Sequence, residues 1–112
     1  MKIVSLDIEP GRASQVSADF VIRVNLDGPA AGCVVSGQVV GPRAKGMTTV
    51  EVAYSLRVVE VSDTAVSLKC VIPEPSLWRP ETPFVYAWRI EVEAGGEVTD
   101  TRAGALTFPV PK

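Results

Sequence analysis

Apolar residues recur at every second position along most of this chain, and few folds accommodate that pattern. A period of two places successive side chains on opposite faces of a strand, so one face can be buried while the other meets water. Phe20, Ile22, Val24 and Leu26 alternate with Val21, Arg23, Asn25 and Asp27. Val66, Leu68, Cys70 and Ile72 alternate with Ala65, Ser67, Lys69 and Val71. Phe84, Tyr86, Trp88, Ile90 and Val92 form a third inward set, with Arg89, Glu91 and Glu93 on the opposite face. No segment carries a helical period of useful length.

Turn chemistry divides these runs. Ile3, Val4, Leu6 and Ile8 read as a first short strand ended by Pro10-Gly11, and Asp27-Gly28-Pro29 closes the second. Residues 33–40 read as a third strand stopped by Gly41-Pro42, followed by a loop at 43–46. Residues 48–61 form a longer β segment in which Val50, Val52, Tyr54, Leu56 and Val58 share one parity. It reads either as one long strand or as two joined by a bulge. Ser62-Asp63 is a turn, and Pro73-Glu74-Pro75 ends the next strand because proline donates nothing to a ladder. Ala94-Gly95-Gly96-Glu97 is a hairpin signal. The last strand runs from Val98 through Arg102 and Gly104 towards Phe108, with Pro109 and Pro111 ending the ordered chain. About seven strands with turns every 8–12 residues or so predict an all-β antiparallel sandwich. The 112 residues suit a single domain spanning 1–112, large enough to bury a core without metal or disulfide staples.

Composition narrows the chemistry. The chain has no histidine, which removes the commonest general base, the commonest zinc ligand and any Ser-His or Cys-His pair. No cofactor or metal site is expected, and enzymatic activity is not expected either. The net charge is −2 and the Lys and Arg residues are scattered singly, so no basic track for nucleic acid is expected. No apolar run is long enough for a membrane helix. The N-terminus lacks an apolar leader segment and reaches Asp7 at once, so a cytoplasmic location is favoured over one in which a leader has been removed.

Candidate sites are few. Cys70 lies on an inward parity and Cys33 begins another strand. They read as small buried hydrophobes with free thiols, an inter-sheet disulfide being the alternative. Glu74 and Glu81 flank Leu77-Trp78 in a loop that also holds Pro73, Pro75, Pro80 and Pro83. Paired carboxylates can hydrolyse glycosides when a rigid scaffold sets their separation. A proline-rich loop favours surface or turn-capping acids instead. Trp78 has two readings: a plug, with Leu77, for one end of the sandwich, or a platform that stacks on a sugar ring. Trp88 reads as core, and the Tyr86 hydroxyl is placed to reach a backbone group at the sandwich end. Gly95-Gly96 has no following helix and is a turn rather than a phosphate cradle, and Asn25 is not in a glycosylation sequon.

One stretch is more specific. Pro75-Ser76-Leu77-Trp78-Arg79-Pro80-Glu81-Thr82-Pro83-Phe84-Val85-Tyr86 resembles the P-x-L-W-x-P-E-x-P-x-L-Y corner of the immunoglobulin-like sandwich domain in glycoside hydrolase family 2. That family includes β-galactosidases, β-glucuronidases and β-mannosidases. Val85 replaces the usual leucine. The strand at Trp88-Arg89-Ile90-Glu91-Val92 and the hairpin at Gly95-Gly96-Glu97 fit the family as well. Arg102-Ala103-Gly104-Ala105-Leu106 stands where the family often has R-F-G-F-R, keeping the glycine and losing both phenylalanines and the second arginine.

The resemblance implies an immunoglobulin-like fold and an accessory role. The family's catalytic glutamates lie in a barrel, so it carries no catalytic residue onto this chain. Trp78, Glu81 and Tyr86 become candidates for contact with sugar or with a neighbouring domain. Three roles are then open: a structural or interaction module partnering a glycoside hydrolase catalytic domain, a carbohydrate-binding module, or a module that self-associates through an edge strand. Residues 48–61 are the candidate edge.

Overall fold

Four strands carry the core, and three of them are stretches whose alternation is unbroken in the sequence. The computed structural model describes residues 1–44, 46, 48–81 and 83–108. In chain order the strands are β1 (Ile3–Ala13), β2 (Ser17–Leu26), β3 (Val34–Arg43), β4 (Val52–Ser55), β5 (Arg57–Val61), β6 (Ala65–Pro73), β7 (Val85–Ala94) and β8 (Glu97–Leu106), with a 3-10 turn at Ala30–Gly32 before β3. They form two antiparallel four-stranded sheets, ordered β1-β2-β6-β5 and β4-β3-β7-β8. This is an immunoglobulin-like sandwich. The inward rows are Phe20, Ile22, Val24 and Leu26 from β2, Val66, Leu68, Cys70 and Ile72 from β6, Val35 and Val39 from β3, and Tyr86, Trp88, Ile90 and Val92 from β7. All are buried. Burying each large apolar side chain contributes about 1.5–3 kcal/mol, which is why these parities hold. Phe84 is half-buried and precedes β7.

The sandwich has eight strands rather than about seven, because the segment at 48–61 divides between the sheets. β4 pairs with β3, from Gln38↔Ser55 to Gly41↔Val52. β5 pairs with β6 in the other sheet. Leu56 is the crossing point. Its N–H donates to Gly37 O at 2.9 Å and its side chain is buried. A Cβ on Gly37 would lie 2.7 Å from Leu56 Cδ1, so the bare glycine makes room for the crossing. The shared parity of Val50, Val52, Tyr54, Leu56 and Val58 therefore does not define one inward face; of the five only Leu56 is buried.

Two strand ends differ from expectation for a common reason. β1 continues through Pro10-Gly11 to Ala13, and β3 continues through Gly41-Pro42 to Arg43. In each, the register shifts: Pro10↔Phe20 is followed by Ala13↔Ala18, and Val40↔Ala87 by Arg43↔Val85. Each shift inserts one extra residue, and a bulge does not demand every ladder N–H, so proline is tolerated there. Lys45 and Pro109 to Lys112, in the loop and the terminus read from sequence, lie outside the described residues.

The open side between β1 and β8 is clasped at one end. Asp100 Oδ2 accepts the Ile3 N–H at 2.8 Å, and Arg102 Nη2 donates to Ile3 O at 3.0 Å. The Ile3 N–H holds the Asp100 carboxyl below its usual range. Further along, Trp88 sits opposite Gly104. A Cβ at Gly104 would lie 2.6 Å from Trp88 Cζ2. Gly104→Ala should therefore force the indole to shift and cost about 1–3 kcal/mol. A thermal melt should show a fall of roughly 4–8 °C per kcal/mol. Gly32→Ala, where the added methyl meets nothing within 4 Å, should leave the melt nearly unchanged.

Both cysteines are free thiols. Cys70 is buried, and desolvation pushes its pKa up to about 11. An acid whose folded pKa is raised stabilises the fold below the unfolded pKa and loses that contribution as pH rises. Stability should accordingly decline between about pH 9, where the unfolded thiol ionises, and the folded value of about 11. With a thiol reagent near pH 8, half-buried Cys33 should react in the native protein, and Cys70 only on denaturation.

Candidate contact site

The corner begins where β6 ends. Pro73 terminates the ladder, and Glu74 takes a left-handed backbone (φ 45°) that turns the chain across the end of the sandwich. The Glu74 N–H donates to Val16 O at 2.9 Å and ties the turn to the start of β2. Pro75 and Leu77 are buried. Between them, the Ser76 N–H donates to the Tyr86 hydroxyl at 2.8 Å. The Trp78 N–H donates to Phe108 O at 2.8 Å. Three hydrogen bonds to distant residues thus hold this loop.

The interior of this end is aromatic. Tyr86 is 1% exposed. Its ring meets Phe108 edge-on, centroids 5.3 Å apart, and Phe108 lies 6.0 Å from Phe20. Such geometry adds roughly 0.5–1.5 kcal/mol per pair beyond area burial. Gly41 leaves room for the tyrosine, because a Cβ there would lie 2.6 Å from Tyr86 Cδ1. The phenol is thus a buried structural strut whose polar end is satisfied by the Ser76 amide.

The sequence-predicted residues separate into two groups. Tyr86 is inside and its hydroxyl meets backbone, as its position at the sandwich end implied. Trp78 is 37% exposed, while its neighbour Leu77 is 7% exposed; the Leu-Trp pair is divided between plug and surface. Glu81 is exposed, as is Glu74, and neither side chain makes a hydrogen bond or ion pair among the described residues. Thr82 lies outside the described residues. In the sequence Phe108 stands only at the end of a strand. Its inward parity was the one signal that it would close the corner.

Two shallow depressions lie elsewhere. One, of about 490 Å³, is on the outer face of the β4-β3-β7-β8 sheet, lined by Ser36, Gly37, Gln38, Ser55, Arg89 and Glu91. The Arg89 guanidinium meets Glu91 Oε1 at 3.1 Å there. The other, of about 570 Å³, lies between the 3-10 turn and the end of β5, with Pro29, Val61 and Thr64 among its walls. Neither has an aromatic wall. Among the described residues no group of three or more Cys, Asp or Glu could hold a metal ion.

The family model for glycosyl hydrolases family 2 matches residues 1–106, from the N-terminus to the end of β8. The chain belongs to glycosyl hydrolases family 2. A search of curated proteins found no match. The family 2 match spans both sheets, so the likeness carried in the sequence by the corner extends over the whole sandwich. The described residues form a small all-β unit, with no catalytic barrel among them.

Substituting Tyr86 by Phe removes one atom and leaves the Ser76 amide without its acceptor. A part-buried amide left unpaired costs about 1–3 kcal/mol. Denaturant unfolding should show Tyr86→Phe less stable by that amount with an unchanged m-value. Amide exchange at Ser76 and Trp78 should quicken more than in β2.

Proposed function

We propose that this chain is a non-catalytic structural and interaction module of family 2 glycosyl hydrolases, contacting a catalytic domain rather than substrate. The observation that carries this reading is how the corner uses its residues. Pro75, Leu77, Tyr86 and Phe108 are spent inside the sandwich end. Trp78 and Glu81 stay at the surface of the same loop. An anchored loop presenting one large aromatic and one acid suits a rigid contact between domains. Glu74 and Glu81 are both exposed, and neither has an ion-pair partner among the described residues, so nothing sets the separation that a glycosidase carboxylate pair needs.

The partly exposed Trp78 also supports a second reading, carbohydrate binding, since indole stacks on sugar rings. It is the only aromatic among the large apolar residues exposed in the described chain. A module with one platform binds sugars weakly at best, which favours the first reading.

Two measurements separate these readings. Incubation with aryl β-galactosides, β-glucuronides and β-mannosides should give no turnover above a mock purification. Turnover that is abolished by Glu81→Gln would overturn the non-catalytic role. Titration with neutral and acidic oligosaccharides should leave tryptophan fluorescence unchanged; a saturable shift lost in Trp78→Ala would instead establish sugar binding.

A further inference from the structure

Four strands end the two sheets: β1 and β5 in one, β4 and β8 in the other. Three of these edges are blunted. β1 carries Pro10 and Gly11 and shifts register near both ends. β8 is tied to Ile3 through Asp100 and Arg102. β4 is only four residues long. β5 contains neither proline nor glycine, and all five of its residues are exposed. Val58, Val59 and Val61 are 45%, 47% and 59% exposed. Unpaired backbone groups beside exposed β-branched side chains form a template for another strand.

We propose that β5 pairs with β5 of a second copy of this chain, antiparallel, about a two-fold axis between Val58 and Val59. The charges favour this occupant. The strand reads Arg57-Val58-Val59-Glu60-Val61. In that register Arg57 of each copy stands opposite the partner's Glu60, so the two-fold makes the same ion pair twice, and Val58 stands opposite the partner's Val59. Residues directly opposite must share a face to interact. In an unbroken strand, residues three apart point to opposite faces. Here Arg57 is opposite Lys69 and Glu60 is opposite Ser67 on β6, two positions apart and therefore on one face, because the bulge at Val59 inserts an extra residue. A bulge usually blunts an edge. This one brings the two charges onto a common face. Neither Arg57 nor Glu60 has an ion-pair partner among the described residues. Pairing is isologous, so it closes at a dimer rather than continuing as a filament.

Charge exchange in the full chain tests this. Sedimentation velocity from about 10 μM to about 1 mM should show a reversible dimer whose affinity falls as salt rises. Arg57→Glu alone, or Glu60→Arg alone, sets like charges opposite each other twice and should weaken association at least tenfold. An equal mixture of the two variants should associate again, because two acidic side chains of one then face two basic side chains of the other. The double variant should self-associate like the wild type. Both positions are exposed, and melts matching the wild type would show the variants folded. A wild type that stays monomeric throughout overturns the proposal. So do single variants that dimerise normally, or a mixture that stays monomeric.

Discussion

The inward row of β7 needs bare backbone beside it, and the rest of the sandwich is arranged around that need. Tyr86 lies against Gly41, Trp88 against Gly104, and Ile90 shares the space over Gly37 with Leu56. At each place a Cβ on the neighbouring strand would sit under 3 Å from the large side chain, closer than atoms can pack. Protein interiors have no slack to absorb such a group. The glycines on β3 and β8 thus let one central strand carry a tyrosine, a tryptophan and an isoleucine inward in succession without forcing the sheets apart.

That arrangement links the core to the sheet edges. Because Gly37 receives Leu56, the chain can leave β4, cross the gap and enter β5 within one residue. The crossing puts a short strand at an edge of each sheet. β4 is sheltered by its brevity, whereas β5 displays three exposed valines between and beside Arg57 and Glu60. The same physical event therefore shapes the core and creates the surface best suited to pairing. The corner is built on similar terms. Tyr86 is buried because Gly41 admits it, and its hydroxyl then becomes the anchor for Ser76 and the loop bearing Trp78 and Glu81.

Much of the fold was legible because β2, β6 and β7 alternate without interruption. Their parity marked Phe20, Leu68, Trp88 and Ile90 as core. The corner was legible in part. The placement of Tyr86 at the sandwich end followed from position, and so did a backbone partner for its hydroxyl. The division of Leu77 from Trp78 did not, since both are large and apolar and only the path of the loop separates them. Pro10-Gly11 and Gly41-Pro42 read as strand ends in the sequence but are bulges in the fold, because turns and bulges favour the same residues. Parity also failed for Val50, Val52 and Val58, which are all exposed; Val52 and Val58 lie on edge strands, and Val50 precedes β4.

By itself the sequence determined the class of the fold, the burial of its central strands and the family likeness concentrated in residues 75–86. Each of these is written locally, in a two-residue period or one contiguous motif. Only the tertiary structure decided that 48–61 crosses between sheets, that Phe108 carries the Trp78 amide, that Asp100 and Arg102 hold the N-terminus, and that Arg57 and Glu60 share a face. These features depend on which distant backbones become neighbours and on single-residue shifts of register. A local period is blind to both, because it records which way a side chain points but not what waits on the other side.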